Sequence, residues 1–198
     1  MIYLLILVIG YLIGSISNGV LISRIFGHMD IRDQGSGNSG ATNTLRVMGV
    51  KYGVLTFALD FFKGMLCALI GKALTGSLPG GVLCGFASVI GHNYPLYFGF
   101  KGGKGISTSF GVLIYLFPIQ AILAFSVFFL VVLVTRYVSA GSIAAAVAVP
   151  VLIVPTLISE SPVSCVLIVL LALLAIYRHR SNIVRLLQHK ENKIHFRK

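Results

Sequence analysis

Gly35-Ser-Gly-Asn-Ser-Gly-Ala-Thr-Asn-Thr-Leu-Arg46 is a run of small and polar residues in a chain that is otherwise largely apolar. Its letters spell G-x-G-x-x-G, and how that motif is read decides the fold. A dinucleotide-binding reading requires a strand before the glycines and a βαβ unit around them. What precedes them here is the apolar run from Ile2 to Ser23. The context is a membrane helix, and the Rossmann reading fails on it. In a membrane protein the same residues have another use. Successive N–H groups of a glycine-rich segment can curl into an anion-binding nest, and a helix beginning near Ala41 would aim its N-terminus at the same place. Ser36, Gly37, Asn38, Thr42 and Asn43 supply amides and hydroxyls with little bulk, and Arg46 adds a fork-shaped cation suited to phosphate or carboxylate.

Composition supports the membrane reading. The 198 residues are 57% hydrophobic and 11% charged, against about 25% charged in soluble domains. Long uncharged runs are the mark of spanning helices; the alternating ten-residue segments of a membrane barrel are absent. The expected class is an all-α, polytopic integral membrane protein, with residues 1–198 as a single domain. Residues 2–23 are expected to be a retained first span, because Met1-Ile-Tyr has no basic leader and no small-residue cleavage site precedes Arg24. Cys67, Cys84 and Cys165 lie apart in apolar runs and read as buried free thiols. A net charge of +11 would suggest nucleic acid in a soluble protein. Here the charges sit at helix ends and loops, as topology marks that also favour anionic lipid.

Charge placement then sets the topology. The loop 24–52 carries Arg24, Arg32, Arg46 and Lys51, so it is cytoplasmic and the N-terminus lies outside. A second span is expected over 53–74, an outer turn over 75–81, and a short third span from Val82 that Pro95 ends. Lys101-Gly-Gly-Lys-Gly105 lies back inside. The run 106–135 is either one long helix or two short ones hinged at Pro118. A single crossing would put Arg136 outside, together with the tail 178–198, which holds seven of the sixteen Lys and Arg residues. A hairpin turning at Phe117-Pro118 keeps them inside. With spans over 140–158 and 162–177 the count is seven transmembrane or membrane-embedded helices, the C-terminus cytoplasmic.

On this topology the anion-binding groups share one side. Lys104 follows glycines that permit close backbone approach, and Lys101 stands beside them. This is not a P-loop, which needs a strand before it and Ser or Thr after the lysine. Arg136, Ser139 and Ser142 follow, then Arg178-His-Arg-Ser-Asn182, in which His179 and Asn182 at i, i+3 would share a helix face. Asp60 and Lys63, three apart in the second span, are read as a structural pair although intramembrane charge is a functional signal by default. His92 lacks partners at metal-ligand spacing and is assigned to holding a loop. His28 and Asp30 are assigned to the loop that carries them. No nucleophile elbow is present, and five acidic residues are too scattered for a metal cage. Such a site suits an anionic, already activated substrate.

Ser36-Gly-Asn-Ser-Gly-Ala-Thr-Asn43 with Arg46, Gly91-His-Asn-Tyr-Pro95 leading to Phe100-Lys-Gly-Gly-Lys-Gly105, and His179-Arg-Ser-Asn-Ile183 with Arg185 and Leu186 resemble, in order, the three signature motifs of bacterial acyl-phosphate:glycerol-3-phosphate acyltransferases. Leu59-Asp-Phe-Phe-Lys-Gly64 and Arg136-Tyr-Val-Ser139 also look like that family. The resemblance implies acyl transfer from acyl phosphate to the 1-hydroxyl of glycerol 3-phosphate, yielding lysophosphatidate and inorganic phosphate as the entry to phospholipid synthesis. It implies that Ser36 and Arg46 bind and position phosphate, that Gly102, Gly103, Lys104 and Gly105 cradle glycerol 3-phosphate, and that His179 and Asn182 complete the site. Glu191 matches a carboxylate with a structural role. Ser39, Ile106-Ser107 and His189 depart from the usual bulky apolar residue, Val-Ala and Gly. The expected partners are the two substrates and membrane lipids, with no nucleic acid, metal or cofactor, in a monomer at the bacterial inner membrane. A transporter of organic phosphates is the competing reading, since interrupted short helices serve transport too; a purely structural membrane subunit is the third.

Overall fold

The computed structural model describes residues 1–194, and every regular element among them is helical. The chain forms two compact units, Met1–Leu116 and Phe117–Lys198.

In the first unit α1 (Ile2–Gly14) and α2 (Asn18–Gly27) together make a 26-residue apolar run. The expected first span is present as one run, longer than expected, with its helix interrupted at 15–17. Gly14 and Ser15, a pair that favours helix kinks, stand at the break; Ser15 folds its hydroxyl back onto the Tyr11 carbonyl (2.8 Å), and the Ile16 carbonyl is satisfied from another helix, by Lys63 (2.7 Å). Buried irregular backbone in a membrane protein persists only where protein groups satisfy it. α3 (Ala41–Met48) starts where the glycine-rich stretch predicted it. α4 (Val50–Thr75) is a 26-residue span, and α5 (Leu78–Asn93) follows after only two residues. The expected turn over 75–81 is therefore too long: Ser77 caps α5 by accepting from Gly80 N (3.3 Å), and Pro79 sits in its first turn, where its missing N–H costs nothing. α6 (Ile106–Leu116) ends the unit. At 1.5 Å per residue α5 and α6 reach about 24 and 17 Å, short of the ~30 Å hydrocarbon core.

α1 packs on α5 and α4, and α4 on α5 and α6. The approach is close because the contacts are glycines. A Cβ on Gly14 would strike the Ser88 carbonyl of α5, and one on Gly111 of α6 would strike the Phe61 carbonyl of α4. Small residues let helices meet backbone to backbone where no hydrophobic effect drives association.

The second unit begins with α7 (Pro118–Thr135), whose first residue is the proline. The run 106–135 is thus two helices broken at Phe117, as the hinge reading expected. α8 (Val138–Leu157) and α9 (Pro162–Arg178) follow, with α7 packed on α8 and α8 on α9. α10 (Arg180–Leu187) bends away from α9 by 54°. The terminal segment returns to the start of α8, Ile194 N donating to the Arg136 carbonyl (2.9 Å).

Among the described residues four helical runs, Ile2–Gly27, Val50–Thr75, Pro118–Thr135 and Val138–Leu157, are long and apolar enough to cross a membrane, and α9 with α10 makes five if that bent pair counts as one. Phe62, Leu66, Phe129, Leu130, Val134 and Leu173 lie exposed on them, as side chains facing lipid would.

Candidate active site

In the first unit the glycine-rich stretch is organised by Asn43. Its Nδ2 stands within 3.0 Å of the Ile31, Gln34 and Asn38 carbonyls, and its Oδ1 accepts from Ser36 N (2.9 Å). Asn43 is buried, so its amide shapes the loop and the exposed groups around it are left to meet a ligand. Those are Ser36, Gly37, Thr42 and Arg46. Asn38 is half-buried and accepts from Gly40 N (2.9 Å), an Asx turn that delivers the chain into α3. Gly35 and Gly37 have φ of 60° and 69°, values that favour glycine. Arg46 follows from the helix that starts at Ala41, so the α3 N-terminus and the guanidinium belong to one eight-residue element.

Arg32 is a residue whose part the sequence reading missed. It reads there only as a topology charge, yet it joins the first loop to the glycine–lysine loop. Its Nε and Nη2 fork onto Asp30 (2.9 and 2.8 Å), while Nη1 donates to the Phe98 carbonyl (2.6 Å). Arg24 adds a second cation to Asp30 (2.9 Å). The hydrogen bond from the Arg32 side chain, reinforced by its backbone N–H and by Arg24 against the cost of burial, holds the Asp30 carboxyl well below the usual carboxylate range. The sequence signal was present, since Asp30 and Arg32 stand two apart in the polar loop. His28 and Asp33 also stand at the H-x-x-x-x-D spacing of acyltransferases with soluble headgroup substrates, a match the sequence reading passed over. Both are exposed, and among the described residues no hydrogen bond or ion pair joins them; the histidine is the left-handed cap of α2, at φ 50°.

The glycine–lysine loop is pressed against the end of α5. Gly103 N donates to the His92 carbonyl (3.1 Å). A Cβ at Gly102 would run into that same carbonyl, and one at Gly103 into Nε2 of the His92 ring. These glycines are required by close approach. Gly105, at φ 82°, then turns the chain into α6. Gly102, Gly103 and Gly105 are buried, Lys104 is half-buried and Lys101 exposed. Asp60 and Lys63 do pair (2.8 Å), but inside a larger network that includes His92 and Asn18.

In the second unit Glu191 gathers Ser139, Asn182 and Arg185. Its Oε1 accepts from Ser139 Oγ (3.0 Å) and Asn182 Nδ2 (2.8 Å), and its Oε2 from Arg185 Nε (2.7 Å). Burial pushes this carboxyl up, but the hydrogen bonds from Asn182, Arg185 and Ser139 outweigh it and hold it below the ordinary glutamate value. Glu191 therefore orients Asn182. His179 and Asn182 do not share one continuous helix: His179 is the junction at which α9 stops and α10 starts. The buried His179 ring puts Nδ1 2.7 Å from the Ala175 carbonyl. A carbonyl only accepts, so Nδ1 carries a hydrogen, and Nε2 is an acceptor in the neutral form of the ring. Ser142 is buried and bonds back to the Val138 carbonyl (2.9 Å) within α8.

Taken by chemistry, the first unit offers phosphate donors in Arg46, Lys104 and glycine backbone, and the second offers an imidazole acceptor beside an oriented amide. Among the described residues no three His, Cys, Asp or Glu side chains gather as a metal set.

Comparison with known proteins agrees. A family model described as glycerol-3-phosphate acyltransferase matches residues 4–189. The glycerol-3-phosphate acyltransferase of Finegoldia magna is 46% identical over 97% of this chain and 96% of its own length, and that of Syntrophotalea carbinolica 45% identical over 96% and 97%. Crystal structures of PlsY (YgiH), an integral membrane glycerol 3-phosphate acyltransferase, superpose in their glycerol 3-phosphate form with a TM-score of 0.89 at 42% identity, covering 98% of this chain and 96% of that one. Their lysophosphatidic acid form gives 0.86 at 40%, covering 98% and 95%. With the motifs, their order and nearly the whole length in agreement, this chain belongs to the glycerol-3-phosphate acyltransferase family.

Proposed function

We propose that this protein transfers an acyl group from acyl phosphate to the 1-hydroxyl of glycerol 3-phosphate, giving lysophosphatidate and inorganic phosphate. The observation that carries this is the glycine–lysine loop, whose Gly102 and Gly103 are held against His92 while Lys104 remains half-buried beside them. A lysine next to a backbone cradle is a site for a phosphate ester. Ser36, Gly37, Thr42 and Arg46 bind and position phosphate from the first loop, with Asn38 and Asn43 shaping it. In the second unit His179 and Asn182 serve the same reaction, Asn182 being oriented by Glu191, and Ser142 of α8 is assigned to substrate binding.

The reaction needs no covalent acyl-enzyme. The substrate hydroxyl oxygen attacks the acyl carbon, the bond from that carbon to the phosphate oxygen breaks, and phosphate leaves with the electron pair. The hydroxyl proton goes to Nε2 of His179 or to a phosphate oxygen. Phosphate is a good leaving group, so positioning and charge stabilisation supply most of the acceleration. Residues 1–198 act as one acyltransferase domain, a monomer with seven membrane segments, the N-terminus outside and the loops that carry the site on the cytoplasmic side of the bacterial inner membrane.

The test uses purified protein in lipid with labelled glycerol 3-phosphate and either acyl phosphate or acyl-CoA. The expected result is lysophosphatidate from acyl phosphate alone, lost in Lys104→Ala. Product from acyl-CoA would overturn the donor, a stable acyl adduct on Ser36 would overturn direct attack, and no product with either would return weight to transport.

A further inference from the structure

We infer that Lys63, a residue of α4 outside the three signature-like motifs but within the family-like Leu59–Gly64 stretch, is a positioning residue that fixes the tautomer and ring orientation of His92 and thereby the shape of the glycine–lysine loop. The inference rests on the reading that this loop binds glycerol 3-phosphate.

The geometry is a matched count. An ammonium group has three N–H donors and no acceptor. Lys63 Nζ stands 2.7 Å from the Ile16 carbonyl, 2.8 Å from Asp60 Oδ1 and 3.0 Å from His92 Nδ1. Each donor has one acceptor, and each acceptor comes from a different helix or break: the interruption between α1 and α2, α4 itself, and the end of α5. Asn18 Nδ2 donates to the same Asp60 oxygen (2.9 Å), tying the far side of the break into the group. Lys63, Asp60 and His92 are 7%, 1% and 5% exposed, so water does not substitute for any of these contacts.

Because Lys63 only donates, Nδ1 of His92 must hold a lone pair, and the ring hydrogen of the neutral imidazole is on Nε2. The alternative, a proton on Nδ1 given to Asp60, would set two donors against each other across 3.0 Å while the Asp60 oxygen lies farther off, at 3.5 Å. The Nε2 end of the ring faces Gly103, and the backbone carbonyl of the same histidine receives Gly103 N–H. Both ends of His92 therefore bear on one glycine of the loop, and Lys63 sets which way the ring presents its hydrogen.

A simple stabilising ion pair is the weaker account. Removing two charges from water costs as much as their attraction returns, and apolar replacements of buried pairs are often neutral or stabilising. That fact also supplies the test. The double variant Asp60→Leu with Lys63→Leu removes both charges without leaving either one unpaired, at the cost of the hydrogen bonds to the Ile16 carbonyl and from Asn18, which the unfolding measurement reads separately. It is compared with wild type, Lys63→Arg and Lys104→Ala in lipid, reading kcat and KM for glycerol 3-phosphate, thermal unfolding, and the 15N spectrum of histidine-labelled protein with His92 assigned by His92→Gln.

The expected wild-type spectrum has His92 protonated on Nε2. In the double variant the chain stays folded, the His92 signal becomes a mixture of tautomers, and KM rises about tenfold to a hundredfold, the cost of a small misplacement, with kcat moving less. Lys63→Arg does not restore KM, because a planar guanidinium cannot offer three donors from one nitrogen. An Nδ1-protonated His92 in wild type overturns the inference whatever the variants do. So does a folded double variant with unchanged KM and tautomer, or full rescue by arginine. Failure of the underlying reading looks different: Lys104→Ala would then keep wild-type KM and kcat.

Discussion

His92 and His179 are both buried, each at the end of a helix, and their imidazoles are set in opposite senses. His92 turns Nδ1 to an ammonium and so accepts there (3.0 Å); His179 turns Nδ1 to the Ala175 carbonyl and so donates (2.7 Å). The first ring carries its hydrogen on Nε2 and presents a donor to the glycine–lysine loop. The second carries a hydrogen on Nδ1, so that in its neutral form Nε2 accepts, which is what a hydroxyl nucleophile needs. One neighbour in each case decides between a donor and a base. The surroundings run in parallel. Each unit builds its group on a carboxylate that accepts from an asparagine and a cation: Asp60 from Asn18 and Lys63, Glu191 from Asn182 and Arg185. The difference is depth. Asp60 lies within α4, paired with a lysine only 7% exposed, whereas Glu191 is in the terminal segment that follows α10, paired with an arginine that keeps 34% of its side chain exposed.

The largest expected effect comes from breaking the deeper group on one side only. Asp60→Ala strands the Lys63 ammonium among apolar helices and should cost about 3–5 kcal/mol of stability, read as a fall in the thermal unfolding midpoint in detergent. Glu191→Ala, with an arginine that can turn to water, should cost distinctly less. Equal losses would mean that depth does not separate the two groups.

Next is the chemical difference between the histidines. His179→Gln retains hydrogen bonding but no base, and kcat should fall about a hundredfold with KM little changed if its Nε2 takes the proton. His92→Gln should act chiefly on KM for glycerol 3-phosphate. An unchanged kcat in His179→Gln would assign the proton to a phosphate oxygen instead.

A smaller effect follows from the titration of Glu191. Its carboxyl is held below the ordinary value, so its contribution to stability is present above the unfolded value of about 4.3 and is lost as pH falls through the lower folded value. Lowering pH from 7 to 5 should leave the Ser139, Asn182 and Arg185 contacts intact. Glu191→Gln should flatten the loss below pH ~4, where the unfolded carboxyl binds protons first; Asp30, depressed by Arg32, keeps its own share of it. The smallest effect is expected at His189, which sits at φ 54° where the resembling family carries glycine. His189→Gly should raise stability by up to ~1 kcal/mol, since left-handed backbone is costly for side chains with a Cβ.

Much of this molecule follows from local chemistry and was legible in the chain. Apolar runs longer than a bilayer is thick, bounded by basic loops, leave helices as the structural solution, because backbone in lipid must satisfy itself. Pro95 and Pro118 marked their breaks since a missing N–H acts wherever it stands. The glycine-rich stretch and the glycine–lysine loop stood out in the chain because small residues permit close backbone approach and the cations beside them suit an anion, and His179 and Asn182 because of their residue types and spacing. Other features depended on partners distant in sequence. The break at Ser15–Ser17 has only Gly14 beside it as a local signal, and its Ile16 carbonyl is satisfied by a lysine 47 residues away. Arg32 reads as a topology charge until its guanidinium meets the Phe98 carbonyl, 66 residues on. Asn43 reads as a ligand until the fold spends its amide on three carbonyls of its own loop. The tautomers of His92 and His179 belong to this second kind. A histidine is the same letter in both places, and only the group that folding brings to Nδ1 decides whether it gives a hydrogen bond or takes a proton.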